Sequence, residues 1–374
     1  MKKILFLINT LGDGGAERVL VDLVNHLDRS LFHVTVQTVL DVGVRKKELA
    51  EDIEYRTIIR TENSRLRNFC AKLITKIIPP QLVYFLFVRN DYDIEIAFLE
   101  GLPTKIIAAS CNKKGRKIAW IHTDLCEYPD SVRAYSSFHA CRKAYKQFDQ
   151  IVGVSRDVAA QFKNKFAWKK ENINVLYNVI DDKRIQEYAR ENTGIPSKSG
   201  ILRVTTCGRL IKQKAFDRLL RIHKRLIDEG LHHELWILGE GPERETLEAY
   251  ILEHNLNRTA SLCGFFSNPY PYFANSDLFV CSSVAEGYSI VMTEACLLGI
   301  PVLTTKVSGA EDPPECPRYS QICENDEESL YHALKQILEN PQLLEQYKTE
   351  MKAKSVFFSM SNQMKVIEDF LCTE

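Results

Sequence analysis

Near the start of the chain, Lys3-Ile-Leu-Phe-Leu-Ile8 is a continuous apolar run of buried-strand length, followed by a glycine-rich turn over Leu11–Gly15. Apolar positions then recur at Val19, Leu20, Leu23, Val24 and Leu27, the spacing of a helix with one buried face. Strand-length runs return at His33–Leu40, Asp93–Phe98, Lys117–Ile121, Gln150–Val154 and Ile173–Leu176, with helical patterns between most of them. Alternation of this kind predicts a parallel sheet. From Asp181 the pattern turns polar and ends in Gly194-Ile-Pro-Ser-Lys-Ser-Gly200, where glycine, proline and serine cluster without periodicity. Beyond it the pattern restarts. Strands are expected at Leu202–Cys207, Glu234–Leu238, Ala260–Cys263, Asp277–Cys281 and Pro301–Thr304, helices at Phe216–Glu229, Glu243–His254 and Ile290–Leu298, and helical spacing from Glu327 onward. The expectation is therefore two doubly wound α/β domains, residues 1–180 and 181–374, with C-terminal helices free to pack back on the first domain. Such sheets bind ligands beyond the carboxyl ends of their strands, and two facing domains would enclose a cleft there.

A length of 374 residues agrees with two domains of about 150 residues each. Hydrophobic residues at 45% and charged residues at 26% have the balance of a folded globular chain. Lys plus Arg equals Asp plus Glu at 49 each, so no global field favours nucleic acid, and any anion site must be local. The eleven cysteines contain no C-x-x-C pair and fit reduced core thiols of a cytoplasmic protein. The apolar stretch Leu73–Val88 is interrupted by Lys76 and Pro79-Pro80, so no membrane-spanning helix is expected.

Three constellations carry candidate chemistry. Gly12-Asp-Gly-Gly-Ala-Glu-Arg18 places bare backbone and a helix N-terminus where a phosphate could sit, although the same glycines suit a tight turn without a ligand, and the spacing is not G-x-G-x-x-G. Gly208-Arg-Leu-Ile-Lys-Gln-Lys214 follows a predicted strand with cations: Arg209 can fork to two phosphate oxygens and Lys214 supplies a point charge. A solvated basic loop would look alike. Ala285-Glu-Gly-Tyr-Ser-Ile-Val-Met-Thr-Glu-Ala295 carries Glu286 before a glycine turn and Glu294 eight positions on, inside an apolar helix where an unpartnered carboxylate is costly. Two such carboxylates beside free helix amides can hold polyols. No His/Asp cluster with metal-ligand spacing is read from the sequence, so no metal site is expected.

In order and spacing, Gly14-Gly-Ala-Glu-Arg18, His122 in Trp120-Ile-His-Thr, Val154-Ser155, Asn178, Gly208-Arg-Leu210 with Lys214, Gly239-Glu-Gly-Pro242 and the E-x7-E pair resemble glycosyltransferase family 4. The similarity covers nearly the whole chain, and enzymes that build bacterial capsule, exopolysaccharide or lipopolysaccharide are the nearest in kind. It implies the GT-B fold of two Rossmann-like domains facing a central cleft. It also implies retaining, metal-independent transfer of a hexose or N-acetylhexosamine, without any cofactor beyond the donor itself, a UDP- or GDP-sugar, to a glycan or polyprenyl-linked acceptor. By the same resemblance Arg209 and Lys214 hold the donor diphosphate. Glu294 holds the ribose and Glu286 the transferred sugar. Gly14 and Gly15 face the diphosphate, and His122 contacts the donor sugar or the charge developing beside it. Gly208 and the amides of Gly287, Tyr288 and Ser289 line the sugar-phosphate pocket. The family often has glycine where this chain has Ala215 and Ser289, and the segment after Ser308-Gly-Ala-Glu-Asp-Pro-Pro is unusually polar.

Other readings keep the same frame. A sugar-phosphate epimerase or a phosphorylase could be built on it, as could a non-catalytic nucleotide-sugar-binding protein of a polysaccharide assembly complex. Retention of Arg209, Lys214, Glu286 and Glu294 together argues against loss of catalysis. Finally, Arg65–Ile78 has Leu66, Phe69, Cys70, Leu73 and Ile77 on one helical face with Arg65, Lys72 and Lys76 along its edge. That composition fits either a helix packed on the sheet or peripheral attachment to anionic lipid at the inner face of the plasma membrane.

Overall fold

The structure, a computed structural model, describes the chain except residues 13, 62, 90, 124–131, 133, 192, 193, 196–199, 313–318 and 374. Asp13 of the first glycine turn, part of the polar linker before Gly200, and Pro313-Pro314 thus lie outside the described residues. Internal contacts divide the chain into two compact units, Met1–Val179 with Ser361–Glu374, and Ile180–Met360.

In the first unit, β1 (Lys2–Ile8), β2 (Phe32–Leu40), β3 (Glu54–Ile59), β4 (Ile94–Ala97), β5 (Arg116–Ile121), β6 (Gln150–Gly153) and β7 (Ile173–Val175) pair in the order β3-β2-β1-β4-β5-β6-β7. Every pairing is parallel. The apolar run of β1 is explained by helices on both faces: Ile4 through Ile8 are all fully buried. The helices are α1 (Gly15–His26), α2 (Ser64–Lys76), α3 (Pro80–Phe87), α4 (Leu102–Ile107), α5 (Phe138–Tyr145) and α6 (Arg156–Lys165). Ser155 caps α6 by accepting from the Val158 amide at 3.1 Å, which gives that residue a structural role.

The second unit runs α7 (Asp182–Tyr188), β8 (Leu202–Cys207), α8 (Phe216–Asp228), β9 (His233–Leu238), α9 (Arg244–Glu253), β10 (Ala260–Gly264), α10 (Tyr270–Ala274), β11 (Leu278–Cys281), α11 (Ile290–Leu297), β12 (Val302–Thr305), β13 (Gln321–Cys323), α12 (Glu327–Glu339) and α13 (Pro341–Lys354). Its parallel sheet has the order β10-β9-β8-β11-β12-β13. Side chains alternate between two cores. Leu235, Ile237, Leu278 and Val280 join one with α8 and α12, while Trp236, Leu238, Phe279 and Cys281 join the other with α11. The last helix, α14 (Met360–Cys372), belongs mostly to the first unit. There Lys2 Nζ donates to the Cys372 carbonyl at 2.8 Å and Arg116 to that of Phe370 at 2.9 Å, so cations meet the helix's free carboxyl end.

Two strands were not expected from the sequence, β3 and β13. Both lie at sheet edges and are mostly half-buried, so neither reads as an apolar run. Strand order reverses between β1 and β4 in one sheet and between β8 and β11 in the other, and the crevice beyond such a reversal is where doubly wound sheets hold ligands.

The loop after β8 ends on Ala215, a buried alanine at φ 48° and ψ 44°, in the left-handed region. A Cβ is strained there, and glycine would relieve the strain at some cost in chain entropy. Ala215→Gly should therefore raise stability by about 0.5–1 kcal/mol. Denaturant unfolding at equilibrium measures this; an unchanged or lower midpoint would mean that methyl packing outweighs the strain.

Candidate active site

The loops at the reversal point of the second sheet follow β8 and β11. They hold Gly208, Arg209, Lys214, Glu286, Gly287, Tyr288 and Ser289. A Cβ on Gly208 would press on the Lys214 side chain, with Cε 3.1 Å away, so its absence lets the lysine fold back over the strand end. Gly239 and Gly241 serve this same loop. A Cβ at either would strike the Gly208 or Leu210 carbonyl oxygen, and the Leu210 amide bonds to the Glu240 carbonyl at 3.0 Å. The Gly239-Glu-Gly-Pro242 motif is thus a backbone buttress for the cation loop.

Lys214 Nζ lies 2.6 Å from Glu286 Oε1, and the Ser283 hydroxyl donates to the same oxygen at 2.6 Å. Burial works against the Lys214 charge, but the Glu286 carboxylate outweighs it, and the lysine pKa ends above its ordinary value. Ammonium has three N–H donors, of which the described contacts use one. Among the described residues the bonds to Glu286 likewise fall on Oε1. The pair can therefore hold together while each partner still offers a contact. The Arg209 guanidinium, five residues before Lys214, is exposed.

The segment carrying Glu286 is clamped by residues that the sequence reading missed. Gln213 exchanges bonds with it: Gln213 Nε2 donates to the Ala285 carbonyl at 2.7 Å, and the Val284 amide donates to the Gln213 carbonyl at 2.9 Å. The buried Arg218 donates to the Ser282 carbonyl and to Asn325 Oδ1 at 3.1 Å, while Asn325 donates to the Val284 carbonyl at 2.8 Å. Beyond them α11 starts after Ser289, whose side chain makes no capping bond and whose buried Oγ has no partner among the described residues. The first amides of α11 therefore have no side-chain acceptor at its N-cap. Glu294, inside α11, is 1% exposed and accepts from the Tyr270 hydroxyl at 3.1 Å, which provides the partner that its apolar setting demands.

The first unit holds the remaining candidates. Gly14 is the N-cap of α1, where any Cβ would collide with the Glu17 carboxylate, and Gly15 is the first, exposed residue of the helix. His122 follows β5 and is buried between aromatic rings, 4.6 Å from Phe98 and 6.4 Å from Trp120 between centroids. Its Nε2 has no partner among the described residues, and burial pushes its pKa down to about 3. The ring is thus a neutral hydrogen-bonding group rather than a cation. Its backbone is fixed by another residue absent from the sequence reading. Buried Glu100 accepts from the His122 amide at 2.7 Å, the Thr123 amide at 2.8 Å and the Thr123 hydroxyl at 3.1 Å, and burial raises its pKa despite these donors. Asn178 is buried with Oδ1 unpartnered among the described residues.

Residues 13–184 match the family model for Glycosyltransferase Family 4, and residues 202–340 match that for Glycosyl transferases group 1. The chain is a glycosyltransferase of the kind those two models describe. This glycosyltransferase is 28% identical over 382 aligned residues, and 99% of either chain, to an N-acetylgalactosamine-N,N'-diacetylbacillosaminyl-diphospho-undecaprenol 4-alpha-N-acetylgalactosaminyltransferase of Campylobacter jejuni. It is 27% identical to the lipopolysaccharide core biosynthesis glycosyltransferase LpsE of Rhizobium meliloti, over 80% of its length and 78% of that protein's. In fold it is similar to HepE of Anabaena, solved in complex with UDP and glucose, with a TM-score of 0.74 at 19% identity over all of both chains. WaaG, a glycosyltransferase involved in lipopolysaccharide biosynthesis, superposes with a TM-score of 0.71 at 17% identity, over 99% of this chain and 100% of that one. The expected GT-B class therefore holds, as two parallel-sheet Rossmann-like domains.

The neutrality of His122 has a measurable sign. Its pKa is about 3 when folded and has an ordinary value of 6.5, so between those values the unfolded chain binds the extra proton. Stability is then lost as pH falls below the ordinary value, by about 1.4 kcal/mol per pH unit from this group alone. His122→Gln removes that slope. The stability gap between wild type and variant should narrow by about 1 kcal/mol between about pH 7 and about pH 5.5 in denaturant titrations; a gap independent of pH would show that His122 is not held neutral.

Proposed function

We propose that this glycosyltransferase moves a hexose or N-acetylhexosamine from a nucleoside-diphosphate sugar, with retention and without a metal ion, to a glycan or polyprenyl-linked acceptor of cell-surface polysaccharide. The observation that carries the reading is the Lys214–Glu286 pair at the reversal of the second sheet, beside the N-terminus of α11. Lys214 keeps donors for a diphosphate, and Arg209 on the same loop can add a bidentate contact. The α11 amides favour an anion. Glu286 keeps Oε2 for a sugar hydroxyl, and Lys214 offsets the repulsion that its carboxylate would otherwise impose on the donor. Glu294 with Tyr270 is the polar group deeper along α11, suited to ribose hydroxyls. His122 is assigned to the donor sugar as a neutral hydrogen-bond partner, and Gly14 and Gly15 to the diphosphate. UDP is favoured as the nucleotide because HepE was solved with it, and a lipid-linked acceptor because the Campylobacter relative is named for one.

Loss of the nucleoside diphosphate concentrates negative charge at the cations, which is where preorganised groups contribute most. Retention follows if the departing phosphate takes the proton from the acceptor hydroxyl on the same face of the sugar, so no enzymic nucleophile is needed. The work belongs in the cytoplasm, with peripheral contact to anionic lipid at the inner leaflet. No helix among the described residues is long and apolar enough to cross a membrane.

Arg209→Ala and Lys214→Ala should each lower donor turnover by more than about tenfold. In the same steady-state assays Glu294→Gln should chiefly raise the donor KM, and Glu286→Gln should chiefly lower kcat. Near-normal turnover in both cation variants, with folding intact, would sink the diphosphate assignment. Treatment with EDTA should leave turnover unchanged, because side chains and amides answer the phosphate charge; loss restored by Mg²⁺ or Mn²⁺ would overturn that part of the proposal.

A further inference from the structure

The helix pair α2 and α3 leaves several large apolar side chains uncovered. A helix of 13 residues normally holds its shape by burying one face, yet among its described side chains α2 buries Ile74 alone. Leu66 and Phe69 on α2, and Ile77 at its end, are turned to solvent, Ile77 at 71% exposure. The sequence pattern grouped Leu66, Phe69 and Ile77 with Cys70 and Leu73 on a single face; in the structure Cys70 and Leu73 are half-buried and the first three are open. The exposure continues past the proline pair onto α3, where Leu82, Phe85 and Leu86 are exposed, Phe85 at 73%.

α3 is nevertheless fixed. Val83 and Tyr84 are fully buried, the Tyr84 hydroxyl donates to Glu95 Oε1 on β4 at 2.5 Å, and Gln37 Nε2 on β2 donates to the Phe87 carbonyl at 2.8 Å. Its outer face is thus an anchored row of large apolar side chains. A contiguous exposed apolar patch of this kind marks an interaction surface. Charge selects the partner: from Asn63 to Arg89 there are five Lys and Arg and no Asp or Glu. Arg65, Lys72 and Lys76 on α2 are exposed and enter no ion pair among the described residues. A second copy of this surface would bring like charges together, whereas an anionic bilayer offers hydrocarbon to the apolar row and phosphate to the cations.

We infer that α2 and α3 form a two-part bilayer-docking element in which α3 inserts Phe85 and Leu86 while α2 grips anionic headgroups through Arg65, Lys72 and Lys76. This deepens the reading of peripheral lipid contact and assigns the apolar and electrostatic shares to different helices. The element also explains how α2 can be ordered with so little protein to pack on: its apolar side chains are covered by lipid.

Co-sedimentation with vesicles of phosphatidylcholine, with and without phosphatidylglycerol, at low and high salt, tests the division. The wild type should bind the anionic vesicles and release partly as salt rises. Phe85→Ser with Leu86→Ser should abolish binding at every salt. Arg65→Gln, Lys72→Gln and Lys76→Gln together should weaken it by more than about tenfold at low salt and leave a residue insensitive to salt. Thermal melts should stay near wild type, because none of these side chains is buried. The inference falls if the wild type remains in the supernatant, if either variant set binds like the wild type, or if analytical ultracentrifugation shows instead a dimer that the Phe85 and Leu86 changes dissolve. Donor hydrolysis, assayed without vesicles, should persist in every variant. Its absence from the wild type would count against the transfer chemistry and leave the docking result standing.

Discussion

A lysine and a glutamate held 2.6 Å apart at the end of two adjacent strands set conditions that much of the second unit's loop architecture meets. Taking both charges out of water is costly, and such a pair rarely repays that cost in stability alone. Its geometry has to be imposed by the surroundings. Gly208 makes room for the lysine, Gly239 and Gly241 let a neighbouring turn press against the loop, and Ala215 accepts a left-handed backbone so that α8 can begin immediately. On the glutamate's side, Ser283 binds the same carboxylate oxygen, and Gln213, Arg218 and Asn325 tie down the carbonyls around it. Each of these devices is explicable as a way to fix two opposite charges without letting them exhaust one another.

How far this was legible in the sequence depended on whether a residue's role is local. Buried strands announce themselves because a sheet covered on both faces leaves no polar positions, as in β1; β3 and β13 do not, because edge strands keep half of their surface wet. Glu286 and Glu294 could be singled out because a carboxylate amid Ile290, Met292, Ala295 and Leu297 needs a reason. Their partners could not. Arg218 stands among Arg221, Lys224 and Arg225 on one helix, and nothing in the spacing says that it alone turns inward to hold the loop that follows β11. Tyr270 and Asn325 reach their positions through chain segments over 20 residues from the groups they bind. Glu100 was hidden for the same reason: the amides that donate to it follow a different strand.

The helix at Arg65–Ile78 illustrates a different limit. Periodicity gives the members of an apolar face but not what that face meets, and the same pattern served a packed helix and a lipid-facing one. Exposure shows that Leu66, Phe69 and Ile77 stay open while Ile74, outside that face, is buried, and that Leu82, Phe85 and Leu86 are open on α3 as well. Proline at the first position of α3 ends one helix and starts the next in three residues, so two short helices occupy a stretch whose overall hydropathy resembles a broken span.

Glu100 and Glu286 are both carboxylates at strand ends of a doubly wound sheet, and the contrast between them argues for where chemistry occurs. Glu100 Oε1 is engaged by three donors from its own unit, all of them from the two residues that follow β5, and its effect is to shape a loop. Glu286 also has one oxygen engaged, but by a lysine that retains donors and by a serine, beside a helix whose N-cap side chain makes no bond. The difference is what remains unused once the fold is complete. Glu100, whose three donors belong to a single loop, positions His122. A cation, a carboxylate and helix amides left with spare capacity at one strand reversal, each already held in place, have something to offer a ligand that carries phosphate on one side and hydroxyls on the other.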